Sequence, residues 1–249
     1  MPLRLVQVNI KARDGAALGR FWAEALGWGV SSEGPGVTNV EPGGGFVWPD
    51  PAAVCIDVVT VPDPRVVDYR VHLDLATASA AHCAELVARL EELGATTAGA
   101  AAAAPERPLG TTMADPEGNV FRVLEPCGHY SGTGPIAAVV VDCEDPREMA
   151  RFWGGAMDWT VHAVTDGHAS LRSARGVGPY LEFVRTPAAE VASTRLHLDL
   201  LPYRGDGQAA EVARLRALGA TPADVGQGDV PWVVLADTEG NEFCVLAPR

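Results

Sequence analysis

Polar and apolar positions alternate through LRLVQVNI (3–10), the period of a half-buried strand. The period then lengthens. Behind Asp14, a side chain suited to cap a helix, Leu18, Phe21, Trp22 and Leu26 recur at helical spacing and predict an amphipathic helix. Short strand-like segments follow and end in AVCIDVVTV (53–61). A fifth strand reads RVHLDL (Arg70–Leu75), with polar His72 and Asp74 on one face and Val71, Leu73 and Leu75 on the other. A second helix over about Ala80–Leu93 runs into Gly94, which suits a left-handed C-terminal position. Two more strands are expected around the turn signal D-P-E-G-N.

The pattern then starts again. IAAVVVDCED (136–145) leads into a helix with Met149, Phe152, Trp153 and Met157 similarly spaced, and PYLEFVRT (179–186) ends the next strands. Arg20-Phe21-Trp22 returns as Arg151-Phe152-Trp153, and His72–Leu75 as His197–Leu200 within RLHLDL. Val87–Thr96 returns as Val212–Thr221, whose helix (Gln208–Leu218) ends at Gly219, and Ala114–Asn119 returns as Ala236–Asn241. The order is kept throughout, so the chain is a duplication. It divides into two homologous domains, 1–126 and 135–249. The Gly-, Ser- and Pro-rich CGHYSGTGP (Cys127–Pro135) reads as a linker over 127–134. Each domain holds two strand–helix–three-strand modules, an α+β architecture with four modules in all. The run Ala100–Ala104 reads as loop or weak edge strand.

Composition narrows the function. A chain of 249 residues with 47% hydrophobic content can build a substantial core. Its net charge of −13, with Lys11 the single lysine, argues against nucleic acid and against anionic lipid surfaces. No apolar run approaches a membrane span, and the N-terminal stretch lacks the features of a signal peptide. Five cysteines (Cys55, Cys83, Cys127, Cys143, Cys244) without a C-x-x-C pair argue against a disulfide framework, and a reducing cytoplasm is expected.

Together, the helix text FW-x3-LGW (Phe21–Trp28, with a variant at Phe152–Trp159), the HLDL strand, the LGAT helix end and the terminal DPEGN-x-F-x-VL resemble the vicinal oxygen chelate superfamily. More closely, the chain resembles its glyoxalase-like, bleomycin-resistance branch, here as a tandem. The resemblance implies that paired βαβββ modules curl each sheet into an open cup. It implies no one activity. The superfamily includes metal-dependent lyases, isomerases, epimerases, dioxygenases and thiol transferases, and also metal-free antibiotic-binding proteins.

In metal-binding members the ligands lie on the first, fourth, fifth and eighth strands. Carried over, these positions are Asn9 and Val140, Asp57 and Glu182, His72 and His197, and Arg122 and Cys244. If each half builds its own cup, the sets are Asn9/Asp57/His72/Arg122 and Val140/Glu182/His197/Cys244. If modules from opposite halves pair, they are Asn9/Asp57/His197/Cys244 and Val140/Glu182/His72/Arg122. An arginine repels a cation and offers it no lone pair, and valine offers nothing. The inventory favours no metal; a divalent ion (Zn, Fe, Ni or Mn) would fall to Glu182, His197 and Cys244.

The expected arrangement puts the HLDL apolar face on the helices and turns its His/Asp face to the cup. His72 and His197, each with a fixed tautomer and a basicity raised by Asp74 or Asp199, are the acid/base candidates. Trp48 and Trp232, in Gly/Pro-rich segments, are candidate rims for a planar ligand. Asn9, Asp57, Arg122 and Glu182 complete the candidate ligand-binding set, with Arg122 expected to pair with Asp57 or Glu182. Trp22, Trp28, Trp153 and Trp159 are expected in packing roles. The reading favours a small-molecule partner, an antibiotic or secondary metabolite held or converted in a metal-free cup. The alternative is a metal-dependent lyase, isomerase or extradiol-dioxygenase type of enzyme. As an internal pseudo-dimer, the chain can act as a monomer or as a homodimer.

Overall fold

The computed structural model describes residues 3–64, 70–98, 109–186, 195–226 and 228–248, apart from the side chains of residues 32 and 33. The run Ala100–Ala104 lies outside the described residues. The first module comprises β1 (Arg4–Ala12), α1 (Gly15–Leu26), β2 (Gly29–Gly34), β3 (Val37–Glu41) and β4 (Cys55–Thr60). The second has β5 (Val71–Leu75), α2 (Ala80–Glu92), β6 (Thr96–Thr97), β7 (Gly110–Ala114) and β8 (Val120–Leu124). The third has β9 (Ile136–Cys143), α3 (Pro146–Ala156), β10 (Trp159–Val164), β11 (His168–Ser173) and β12 (Tyr180–Arg185). The fourth has β13 (Leu196–Leu201), α4 (Gln208–Leu218), β14 (Thr221–Pro222), β15 (Val233–Ala236) and β16 (Glu242–Val245).

Helix boundaries follow local chemistry. The Asp14 carboxylate accepts from the Ala17 amide to cap α1, and Gly27 closes that helix at φ 66°. Ser79 caps α2 through the His82 amide. Asp145 caps α3 through the Arg147 and Glu148 amides, with Pro146 in the first turn, where its missing N–H costs nothing.

Two eight-stranded sheets form, and each is completed within one chain. Sheet one runs β14-β15-β16-β13-β1-β4-β3-β2 and sheet two runs β10-β11-β12-β9-β5-β8-β7-β6. Module one therefore pairs with module four, and module two with module three. The central joints are antiparallel, β1 on β13 and β5 on β9. Each curled sheet is thus assembled from both halves of the duplication.

Within each half, the repeated motifs pack one sheet against the other. Phe21 and Trp22 of α1 pack edge-on against Phe121 of β8 at 6.2 and 5.2 Å between ring centroids. Phe152 and Trp153 of α3 repeat the contact on Phe243 of β16 at 6.1 and 5.2 Å. The Trp22 indole donates to Asp115 and the Trp153 indole to Asp237, at 3.3 and 3.1 Å. Both carboxylates also order the D-x-E-G-N turns, Asp115 accepting from the amides of Glu117 and Asn119, and Asp237 from those of Glu239 and Asn241. Burial pushes the pKa of both upward, against the pull of these hydrogen bonds. Across the halves, Arg195 donates to the Glu117 carbonyl at 2.9 Å and Arg70 to the Glu239 carbonyl at 3.1 Å. The arginines that open the two HLDL stretches therefore latch each half to a turn of the other.

Among the described residues, no helix is long and apolar enough to cross a membrane.

Candidate functional site

The first cup is the polar face of sheet one. Alternation along β1 sends Val8 and Ile10 into the core and leaves Gln7, Asn9 and Lys11 on the opposite face. Asn9 stands beside Asp57 of β4 and His197 of β13. Gln7 stands beside Asp199, which neighbours Cys244 of β16. Asn9, Asp57, His197 and Cys244 thus share one sheet, the cross-half alternative.

A carboxamide organises this face. Gln7 Nε2 donates to Asp57 Oδ2 at 2.5 Å and to Asp199 Oδ2 at 3.0 Å, and Asn39 Nδ2 donates to Asp57 Oδ1 at 2.6 Å. Asp57 and Gln7 line a cavity of about 350 Å³ with Asn39, Glu41, Cys55 and Trp48. Behind Gln7, His197 Nε2 lies 3.4 Å from Asp199 Oδ1, an oxygen with no hydrogen-bond donor. Burial, reinforced by the Lys11 charge, lowers the His197 pKa to about 3. Burial and the neighbouring Asp57 raise that of Asp199 to about 7, although Gln7 and Cys244 donate to it. The expected rise in histidine basicity is therefore reversed in this cup. Desolvation outweighs the carboxylate, and Asp199 is the group that titrates near neutrality.

The second cup is closed. Its central residues Val140, Glu182, Ser170 and Asp74 are at most 1% exposed, and His72 is 6% exposed. His72 Nε2 lies 3.6 Å from Asp74 Oδ1, and Arg122 Nη1 lies 3.5 Å from Asp74 Oδ2. The cover comes from the segment joining the halves. A single 3-10 turn, Gly128–Tyr130, buries the Tyr130 ring against Ala138, Val140, Tyr180 and Val184. The Tyr130 hydroxyl donates to Glu182 Oε1 at 3.0 Å. His129 stacks on Tyr180 at 4.6 Å, and Arg172 donates to the Gly132 carbonyl at 3.0 Å.

The sequence model of the glyoxalase-like domain matches residues 7–124 and again 138–246. The chain belongs to the glyoxalase-like family. Glyoxalase I from Zea mays superposes on this glyoxalase-like protein with a TM-score of 0.65 at 14% identity, over 98% of this chain and 92% of that one. A proposed dioxygenase from Bacillus subtilis superposes at 0.64 with 13% identity, over 98% and 84% of the two chains. At such identities the likeness is one of fold. No curated protein matches the sequence. The expected architecture, tandem glyoxalase-like domains of the vicinal oxygen chelate superfamily with open curled sheets, is the one observed.

Several expected site groupings need correction. Glu182 lies in sheet two, whereas His197 and Cys244 lie in sheet one, so that metal set does not assemble. Arg122 pairs with Asp74; Asp57 is in the other sheet. The segment 127–134 does more than join the halves, since Tyr130 and Thr133 are buried. Trp48 lines the first cavity, and Trp232, 37% exposed, immediately precedes β15 of the same sheet. Trp22, Trp153 and Trp159 are buried, as packing requires, and Trp28 packs partly buried against the core.

The first cup of this glyoxalase-like protein does not suit a hard divalent ion. Among the described residues, Asp57 joins no group of three donors close enough to hold one, and carboxamide N–H groups orient its oxygens instead. The Cys244 thiol, pushed well above its ordinary pKa by burial and by Asp199, donates to Asp199. What does converge is a softer trio: donor atoms of His197, Asp199 and Cys244 lie within 4.8 Å of one another.

Sequence reasoning missed Gln7, Asn39 and Tyr130. Gln7 was within reach, because period two places it on the face of Asn9. The other two carry no local signal of their own.

Proposed function

We propose that this protein binds a small organic molecule, an antibiotic or secondary metabolite, in the first cup without a metal. The observation that carries the reading is the contrast between cups. The first keeps a polar cavity of about 350 Å³, within the size range of ligand sites, beside the Gln7–Asp57–Asn39 network. The equivalent face of sheet two is buried beneath Tyr130.

In this reading Trp48 supplies a flat apolar wall, and Asp57 and Glu41 accept from ligand donors. Gln7 and Asn39 hold the Asp57 carboxylate in place and offer their own amide groups. The ligand is therefore rich in hydrogen-bond donors and has a planar or aliphatic face. Sequestration needs only these groups. Acid/base conversion would draw on Asp199, whose pKa near 7 suits proton transfer at neutral pH, with neutral His197 against it. His72 and Asp74 then serve the structure of the closed cup.

A thermal-shift screen of antibiotics and secondary metabolites tests this. Compounds that raise the melting temperature should lose their effect in Asp57→Ala and weaken in His197→Ala, yet keep it in His72→Ala. Loss in His72→Ala with retention in Asp57→Ala would reject the assignment.

The convergence of His197, Asp199 and Cys244 favours one second reading, a metal-dependent lyase, isomerase or dioxygenase type of enzyme holding zinc there. Elemental analysis of protein purified without chelator separates the two.

A further inference from the structure

The second cup has the make-up of a site already filled. Its floor carries Glu182, whose Oε1 accepts from Tyr130 and whose Oε2 lies 3.6 Å from His168 Nε2. Beside it in register stands Ser170, fully buried, with no hydrogen-bond partner for its Oγ. Its walls are apolar: Ala138, Val140, Val184 and the Tyr180 ring. A cup with an apolar wall and a carboxyl acceptor at its base matches one chemical class, an aryl alcohol with its ring between the walls and its hydroxyl on the acceptor. The Tyr130 side chain meets that description.

The segment that brings Tyr130 there has room behind it. A cavity of about 770 Å³ lies between this segment, the end of α1 and the start of α2, and Tyr130, Gly132 and Gly134 all line it. Gly132 and Gly134 hold positive φ angles of 75° and 80°, so the chain turns sharply just after Tyr130.

We propose that the second cup is an aryl-alcohol site occupied in cis by Tyr130, and that the segment around Tyr130 is its displaceable plug. The cup binds a free phenol only when that side chain leaves.

The test uses p-cresol (4-methylphenol), the side chain of tyrosine as a free molecule, with toluene as its hydroxyl-free control. In full-length Tyr130→Gly, p-cresol should bind saturably and restore part of the lost melting temperature, with at least tenfold higher affinity than toluene. Adding Glu182→Leu, which removes the acceptor, should erase most of that preference, and wild-type protein should show no saturable binding. Equal binding to wild type, no binding to folded Tyr130→Gly, or equal affinity for toluene would overturn the proposal. Should Tyr130→Gly fail to fold, Tyr130→Phe decides by hydrogen exchange. Amides in 127–134 should then exchange about tenfold faster than in wild type, and unchanged protection would overturn it.

Discussion

Replacing either member of the His197–Asp199 pair should reveal a pH dependence of stability that wild-type protein conceals. Folding lowers the His197 pKa from 6.5 to about 3 and raises that of Asp199 from 3.8 to about 7. A depressed histidine loses stability as pH falls below 6.5, because only the unfolded chain takes up the proton. A raised carboxyl loses stability as pH climbs from 3.8 to its folded pKa, because only the unfolded chain releases one. Each slope is about 1.4 kcal/mol per pH unit, and the two oppose each other. Between about pH 4 and 6.5 the folded pair holds one proton in total, as the unfolded pair does, so wild-type stability is nearly flat from this source.

Asp199→Asn removes one arm. From pH 6.5 to 4.5 that variant should lose about 2 kcal/mol relative to wild type, or roughly 4–8 °C in melting temperature. His197→Gln removes the other, and over the same interval it should gain a similar amount. Denaturant titrations of the three proteins at pH 4.5, 5.5 and 6.5 measure this directly. Two variants as flat as wild type, or with slopes of the same sign, would refute the burial argument for the pair.

Three further outcomes follow from other parts of the structure. Asp115→Ala strips the acceptor from the Trp22 indole and from the Glu117 and Asn119 amides, and should cost about 3 kcal/mol by denaturant titration. Gly178→Ala places a Cβ 2.0 Å from the Pro51 carbonyl oxygen at a φ of +73°, and should cost more than about 2 kcal/mol; Gly176→Ala, with open space at φ +67°, should cost about 1. Elemental analysis of chelator-free protein should find zinc, iron, nickel and manganese well below one per chain, whereas a stoichiometric metal would transfer the assignment to the His197–Asp199–Cys244 trio.

Much of the fold was legible because it is written twice. The helix faces, the Asp14 cap, the glycines at Gly94 and Gly219 and the HLDL strands each follow from local rules, and repetition confirmed their order. Module pairing was not legible, because β5 can satisfy its apolar face equally well beside β1 or β9. The choice appears only in the long-range strand pairings, β1 on β13 and β5 on β9. The site was legible in residue type but not in grouping. Asp57, His197 and Asp199 fall in one cup as candidates, yet Gln7, which joins the carboxylates, is an ordinary amide in sequence. Tyr130 was hidden for another reason: a Gly/Ser/Pro-rich segment reads as linker whether or not one of its side chains finds a cavity. His197 shows the reach of burial, which no pattern of neighbours reports.

The central claim is that the first cup is the open ligand site and the second is closed by its own chain. A crystallographic fragment screen of the wild-type protein tests it most directly. The account predicts that fragments carrying amine or hydroxyl donors collect beside Trp48 and contact Asp57 and Gln7, with none in the cup beneath Tyr130. An Asp57 cavity that stays empty while fragments settle elsewhere on the protein would contradict it.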